Sequence, residues 1–251
     1  MSSTLRAVVL LDGYYDARFP EFYAESCAQD GSDDGSVREP LVVCADGALR
    51  VCADLLSDVT PGLVVGDMDS LGEVDRDAWE RRGTSFDTTW EGKTDKDHTD
   101  GQLALYAALE SGARRIDFHG GLARRDAYDH DHFLGNLSLI AEAHTRLVDA
   151  PDAAVRISEP LETVYVCRAH LELPRVGDGL NRVSLVCLGP STRVARSEGL
   201  RWDLTGYEVH AAPANALRNE FRDDASTVVI EMEDGSPPVY VFHNRYERSG
   251  A

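Results

Sequence analysis

Long apolar runs are missing from this chain. None approaches the length that crosses a bilayer, and residues 1–6 lack the basic stretch followed by an apolar one that marks a secretory leader, so a cytoplasmic protein is expected. Basic residues are scarce. Against 44 Asp and Glu there are only 25 Lys and Arg, a formal net charge of −19, and the resulting field repels nucleic acid and anionic membranes. It repels ATP as well, so a nucleotide site here needs local help from metal ions, helix N-termini and a few placed cations. A cationic ligand would meet no such barrier, and most of the acidity serves as a solvating surface.

Paired cysteine motifs are absent too. Cys27, Cys44, Cys52, Cys167 and Cys187 are odd in number, show no C-x-x-C spacing and mostly sit in apolar runs such as residues 41–44. They read as small core hydrophobes in a reducing compartment rather than as a disulfide frame. No G-x-x-x-x-G-K-[ST] loop, G-x-G-x-x-G fingerprint, internal repeat or low-complexity tract occurs, so any ATP handled here is handled without a Walker loop.

What is present is an ordinary globular composition. The 251 residues are 43% hydrophobic and 27% charged, enough for one large domain or two ordinary ones. The first part alternates short apolar runs (7–11, 41–45, 62–65, 115–118) with helical patterns (49–56, 75–82, 101–111, 131–143). That order predicts a doubly wound, mainly parallel α/β sheet over residues 1–152, with residues 29–39 as an exposed polar loop. Beyond it, runs with period-two alternation at 163–167, 182–188, 206–210, 227–231 and 239–243 predict a C-terminal antiparallel β-sandwich over residues 153–251.

In an open parallel sheet, ligands collect outside the carboxyl ends of the strands, which directs attention to the polar residues that follow each apolar run. One run leads into Asp46-Gly47, the next into Gly66-Asp67-Met68-Asp69-Ser70, and a third into His119-Gly120-Gly121. In an extended segment Asp67 and Asp69 would face one side, as a hard divalent cation requires, although in so acidic a chain a D-x-D pair alone is better explained by a solvated turn. The cluster Lys96-Asp97-His98-Thr99-Asp100 precedes a helix, and Thr99 with Gln102 has capping-box spacing, which puts a positive helix end there. Asp100 could then complete a metal site while Lys96 supplies a charge for a phosphate. An ordinary charged helix start fits those residues equally well. Arg124 and Arg125, just past the Gly-Gly turn, suit a polyphosphate chain. The Asp and His residues alternating from Asp126 to His132 could be either a metal-binding tract or a polar loop.

Taken in order, these clusters resemble the thiamin pyrophosphokinase family, whose pattern is Ala-Asp-Gly after a strand, Gly-Asp-x-Asp-Ser, Lys-Asp-x-Thr-Asp, and a Gly-rich turn with Arg-x-Asp-His. Here they appear as Ala45-Asp46-Gly47, residues 66–70, residues 96–100, and Gly120-Gly121 through Arg125, with Asp131-His132-Phe133-Leu134-Gly135-Asn136 downstream. Farther on, Gly199-Leu200-Arg201-Trp202-Asp203-Leu204 is similar to the family's Gly-Leu-Lys-Trp-x-Leu segment, and Asn219-Glu220 falls where a Ser-Asn pair is usual.

The resemblance implies an ATP-dependent diphosphotransferase that acts on thiamin. Asp67, Asp69 and Asp100 would hold Mg²⁺, and Asp46 and Asp97 would line the same site. Lys96, Thr99 and Arg125 would meet ATP, with Asp131 as a further catalytic carboxylate. Trp202 and Asn219 would form the thiamin pocket, which in the family lies between the subunits of a homodimer. Two departures stand out. Arg124 replaces a Gly and extra residues follow Arg125, which leaves Asp126, Asp129 and Asp131 as alternatives for one carboxylate; Asp131 is chosen because Asp-His-x-Leu-x-Asn follows in register. Arg218 replaces a Ser beside Asn219 and keeps open another acceptor, such as a pterin. A non-catalytic nucleotide-binding protein on the same scaffold is the remaining alternative.

Overall fold

The computed structural model describes residues 5–28, 30–31, 37–93, 97–122, 130–150 and 152–246. The chain divides into two compact units, Met1–Pro160 and Leu161–Ala251. The expected boundary at residue 152 falls before a strand that groups with the first unit.

The first unit is built on six parallel strands: β1 (Leu5–Leu10), β2 (Leu41–Ala45), β3 (Leu63–Val65), β4 (Ser85–Asp87), β5 (Ala113–His119) and β6 (Ala154–Glu159). Their spatial order is β6-β5-β1-β2-β3-β4. A parallel sheet covered on both faces demands apolar residues on both, and Ala7 to Leu10 of β1 are all fully buried. Helices α1 (Pro20–Cys27), α2 (Leu49–Asp54), α3 (Arg76–Arg82), α4 (Asp100–Glu110) and α5 (His130–Arg146) connect the strands. α3 starts where the Asp75 side chain accepts the Ala78 N–H at 3.0 Å, and it ends at Gly83, whose φ of 106° suits only a residue without Cβ. α4 starts at the predicted capping box: Gln102 N–H donates to Thr99 Oγ1 at 3.2 Å, and Thr99 N–H donates to Gln102 Oε1 at 3.0 Å. In the 29–39 segment, Asp30–Gly31 pairs with Val37–Arg38 in an antiparallel ladder, and the residues between lie outside those described.

Strand order reverses direction at β1, which has β5 on one side and β2 on the other. Chain connections leave the sheet in opposite directions at such a point and open a crevice outside the strands' carboxyl ends. The site below sits there.

The second unit is an antiparallel β-sandwich. Strands β7 (Glu162–Cys167), β9 (Leu180–Val186), β12 (Asn219–Glu220) and β14 (Val239–Tyr246) form one sheet, in the order β12-β9-β14-β7. Strands β8 (His170–Pro174), β10 (Thr192–Glu198), β11 (Glu208–Val209) and β13 (Thr227–Met232) form the other, in the order β8-β13-β10-β11. Strict alternation of buried and less buried residues along β13 puts Val228, Ile230 and Met232 inward, where they meet Val183 and Leu185 of β9 and Val239 and Val241 of β14. The two-layer fold is the α/β-plus-sandwich architecture predicted from the sequence. Cys44, Cys52, Cys167 and Cys187 are buried free thiols, and burial pushes the Cys167 thiol up to about 12. Among the described residues no helix is long and apolar enough to cross a membrane.

Candidate active site

Four strand exits and two helices enclose a cavity of about 900 Å³ in the first unit. Its floor comes from the turns after β1 (Leu11, Asp12, Gly13), β2 (Asp46, Gly47) and β5 (Gly120), and Ser70 adds the turn after β3. One wall is the start of α4, from Asp97 to Gln102, and the opposite wall is α5, including Asp131, His132, Phe133 and Asn136. The floor turns approach one another closely because glycine occupies the contact points. A Cβ on Gly13 would lie 1.9 Å from the Gly120 carbonyl oxygen, and one on Gly66 would lie 2.7 Å from Asp46 Cβ and 2.8 Å from Asp100 Oδ1.

Asp46 and Asp100 of this cavity converge with Asp67, each offering a carboxylate oxygen within 4.8 Å of the other two. They arrive from three places: the β2 exit, the β3 exit and the first residue of α4. At that spacing, two ionised carboxylates repel by roughly 3 kcal/mol at an effective dielectric of about 20, so three together need relief from a proton or a cation. Asp46 carries the clearest mark of the strain. It is 1% exposed; its Oδ2 accepts the Ser70 N–H at 3.2 Å, while its Oδ1 has no hydrogen-bond partner. Burial, and then the neighbouring charges of Asp100, Asp67 and Asp69, push its carboxyl up to about 6 against the opposing pull of the Ser70 N–H. Three carboxylates with one buried, unpartnered oxygen make an all-oxygen donor set that fits a hard divalent cation.

Asp69, expected alongside Asp67 and Asp100, stands outside this group of three and is exposed. Its carboxylate accepts the Ser70 hydroxyl at 2.9 Å. The cause is local: Met68 between the two acids has φ of 65°, so the exit segment is not extended and the two side chains do not share a face. Asp46, expected only to line the site, takes the third place. It too has a left-handed backbone, φ 40°, a conformation that costs a non-glycine residue about 1–3 kcal/mol and clusters at functional sites.

Of the other expected residues, Asp97 lies exposed on the cavity wall, and Thr99 caps α4 so that the helix's free N–H groups open into the cavity. Asp131 is exposed on the α5 wall, where its Oδ1 accepts the His132 N–H at 3.0 Å, a bond that holds its carboxyl below the usual range. Lys96, Arg124, Arg125, Asp126 and Asp129 lie outside the described residues. In the second unit Trp202 and Asn219 are adjacent. The Trp202 backbone N–H donates to Asn219 Oδ1 at 3.2 Å and Asn219 Nδ2 donates back to the Trp202 carbonyl at 2.7 Å, which holds the backbone of a tryptophan that is 53% exposed.

Sequence reasoning missed Asp12, on the cavity floor, whose carboxylate pairs with Arg50 of α2 at 2.9 Å. Its signal was available: Asp12-Gly13 repeats after β1 the acid-glycine exit of Asp46-Gly47 after β2.

Residues 36–149 match the family model described as thiamin pyrophosphokinase, catalytic domain. No curated protein matches the sequence by direct search. Among solved structures, a thiamine pyrophosphokinase from Bacillus subtilis is 16% identical, with a TM-score of 0.68, covering 96% of this chain and 99% of its own. Yeast thiamin pyrophosphokinase is 15% identical with a TM-score of 0.70, covering 98% of this chain and 88% of its own. A thiamin pyrophosphokinase family protein from Enterococcus faecalis is 21% identical with a TM-score of 0.67, covering 96% and 100%. At these identities the structural likeness speaks for the fold, and the match over residues 36–149 speaks for the catalytic domain. Residues 36–149 are thus similar to the catalytic domain of thiamin pyrophosphokinases, and the fold of the chain to that of the solved structures.

Proposed function

We propose that this chain transfers a diphosphate from Mg-ATP to the hydroxyl of thiamin, giving thiamin diphosphate and AMP. The observation that carries this reading is the buried, unpartnered Asp46 oxygen beside Asp67 and Asp100, on the floor of a cavity at the sheet's switch point. The family-model match over residues 36–149 supports the reaction class.

Asp46, Asp67 and Asp100 would hold Mg²⁺, with Asp69 and Asp97 at the edge of the site. Bound there, the ion would supply positive charge against the polyphosphate and turn a repellent floor into an attractive one. The chain's own groups do the rest. The free N–H groups at the start of α4, presented by the Thr99 cap, offer donors and a positive dipole end to phosphate oxygens. Gly13, Gly47 and Gly120 let the turns of the floor pack against one another. Lys96 and Arg125 are the cations proposed for the phosphates, and Asp131 is proposed as the carboxylate facing them from α5. Attack of the acceptor oxygen on the β-phosphorus forms the new P–O bond as the bond to the bridging oxygen breaks, and AMP departs with that oxygen. The hydroxyl proton is lost as the new bond forms. Positioning and charge neutralisation are the main requirements of such a transfer. Trp202 and Asn219 are proposed for the acceptor, in a homodimer whose acceptor site lies between subunits.

A ³¹P assay with Mg-ATP and thiamin tests this reading. Resonances of AMP and of a diphosphate ester are expected, and ATP left unchanged would refute it. Arg218 favours one alternative. It is exposed, has φ of 59° and directly precedes Asn219, so it places a cation near the proposed acceptor residues. If AMP appears only with an uncharged hydroxymethyl heterocycle such as a pterin, the acceptor assignment changes while the reaction stands. ATP binding without AMP from any acceptor would mark a non-catalytic protein.

A further inference from the structure

A carboxylate that the reaction does not use lies buried beneath the cavity floor. Glu159, the last residue of β6, is 7% exposed. Its Oε1 accepts the Gly120 N–H at 2.6 Å, and its Oε2 accepts the Tyr23 hydroxyl at 2.7 Å. The same Tyr23 hydroxyl accepts the Asp16 N–H at 3.0 Å. One acidic side chain therefore joins β6, α1, the loop after β1 and the turn after β5.

That turn can move little once it is held. Gly120 has φ of 75°, and a Cβ there would lie 2.6 Å from the Leu11 carbonyl oxygen, so the backbone is packed as closely as glycine allows. Its far side is held by Asn136 of α5, whose Nδ2 donates to the Gly121 carbonyl at 3.0 Å. Glu159 on one side and Asn136 on the other thus clamp the Gly120-Gly121 turn, and both Gly120 and Asn136 line the cavity. Hydrogen bonds to an ionised acceptor are about twice as strong as neutral ones, and burying such a group is costly unless its oxygens are satisfied. A carboxylate kept in this place is explained by what it holds.

We infer that Glu159 is a positioning residue: from beneath the floor its carboxylate fixes the Gly120-Gly121 turn in the shape that admits the ligand's phosphates. The nucleotide part of this inference rests on the proposed function; the clamp itself does not.

The test compares Glu159→Gln, which keeps an oxygen for the Gly120 N–H, with Glu159→Leu, which keeps the volume and removes the acceptor. Two quantities are read on the full chain: hydrogen exchange at the Gly120 amide without ligand, and the Kd for Mg-ATP. In Glu159→Leu, exchange is expected to quicken and Kd to rise, each by at least about tenfold, while Glu159→Gln stays within about threefold of wild type. A purely structural role would lower the melting temperature of both variants and leave the Kd of the folded protein unchanged. Should Glu159→Leu fail to fold, Tyr23→Phe takes its place. It removes the donor to Oε2 together with the acceptor of the Asp16 N–H, and leaves the Glu159 bond to Gly120 in place, and Gly120 exchange is expected to quicken severalfold. Wild-type exchange in a folded Glu159→Leu, or in Tyr23→Phe if the first does not fold, would overturn the inference. A wild-type protein that binds no Mg-ATP would overturn the nucleotide reading instead, and the exchange result would still decide the clamp.

Discussion

Asp46 holds a left-handed backbone, a buried position and an oxygen with no partner, three costs in one residue, and the neighbouring acids add repulsion. A divalent cation would relieve the last two, and on the proposed function Asp67→Asn or Asp100→Asn should abolish turnover while leaving the fold intact; near-wild-type rates of AMP release at ordinary Mg²⁺ would remove either residue from the proposed ligand set. Gly66→Ala should cost about 2 kcal/mol or more and eliminate activity, because its Cβ would collide with both Asp46 and Asp100 on a backbone of φ 144°. Chemical denaturation checks the first effect and AMP release the second. At this scale Asp67 and Asp100 were legible, because each follows a strand run or opens a capped helix. Asp46's full part was not, because only the folded backbone shows that Met68 turns Asp69 aside and leaves the third place to a residue 21 positions before Asp67 in the chain.

Helix α4 delivers both an acid and a set of free N–H groups, and its start depends on Thr99. Thr99→Ala should cost about 1 kcal/mol by deleting the cap and lower the melting temperature by a few degrees, as differential scanning calorimetry would show; an unchanged melting temperature would mean that tertiary contacts alone define the helix start. Elements with strong local signals were legible: β1, β2 and β3 as apolar runs, α3 by its helical pattern and α4 by its capping box. Those without such signals were not. α1 has no side-chain cap at Phe19, and its only marker is Pro20 in the first turn. β4 spans three residues, too few for a period to show. β6 was not singled out as a strand, and the boundary at residue 152 put it with the second domain, whereas its parallel pairing with β5 groups it with the first.

For the molecule as a whole, two buried histidines set a pH limit on stability. His119 and His243 are both fully buried, and burial pushes each down to about 4. In the unfolded chain an ordinary imidazole titrates near pH 6.5, so between about pH 6.5 and 4 the unfolded state binds protons that the folded state refuses. The stability contribution is complete above about pH 6.5 and is lost as pH falls toward 4, by up to about 3 kcal/mol per histidine. Denaturant midpoints should fall across that window; a flat profile would show that these rings are protonated in the folded protein. The net charge of −19 sets the broader condition, that no ATP phosphate approaches this surface favourably without a cation. Mg²⁺ should accordingly raise the melting temperature of the wild type and have much less effect on Asp46→Asn. The most direct measurement is calorimetric titration of ATP into the protein, once with excess Mg²⁺ and once with EDTA. Binding is expected only when the metal is present. ATP bound with equal affinity in EDTA would contradict the claim that these carboxylates become a nucleotide cradle through a metal ion.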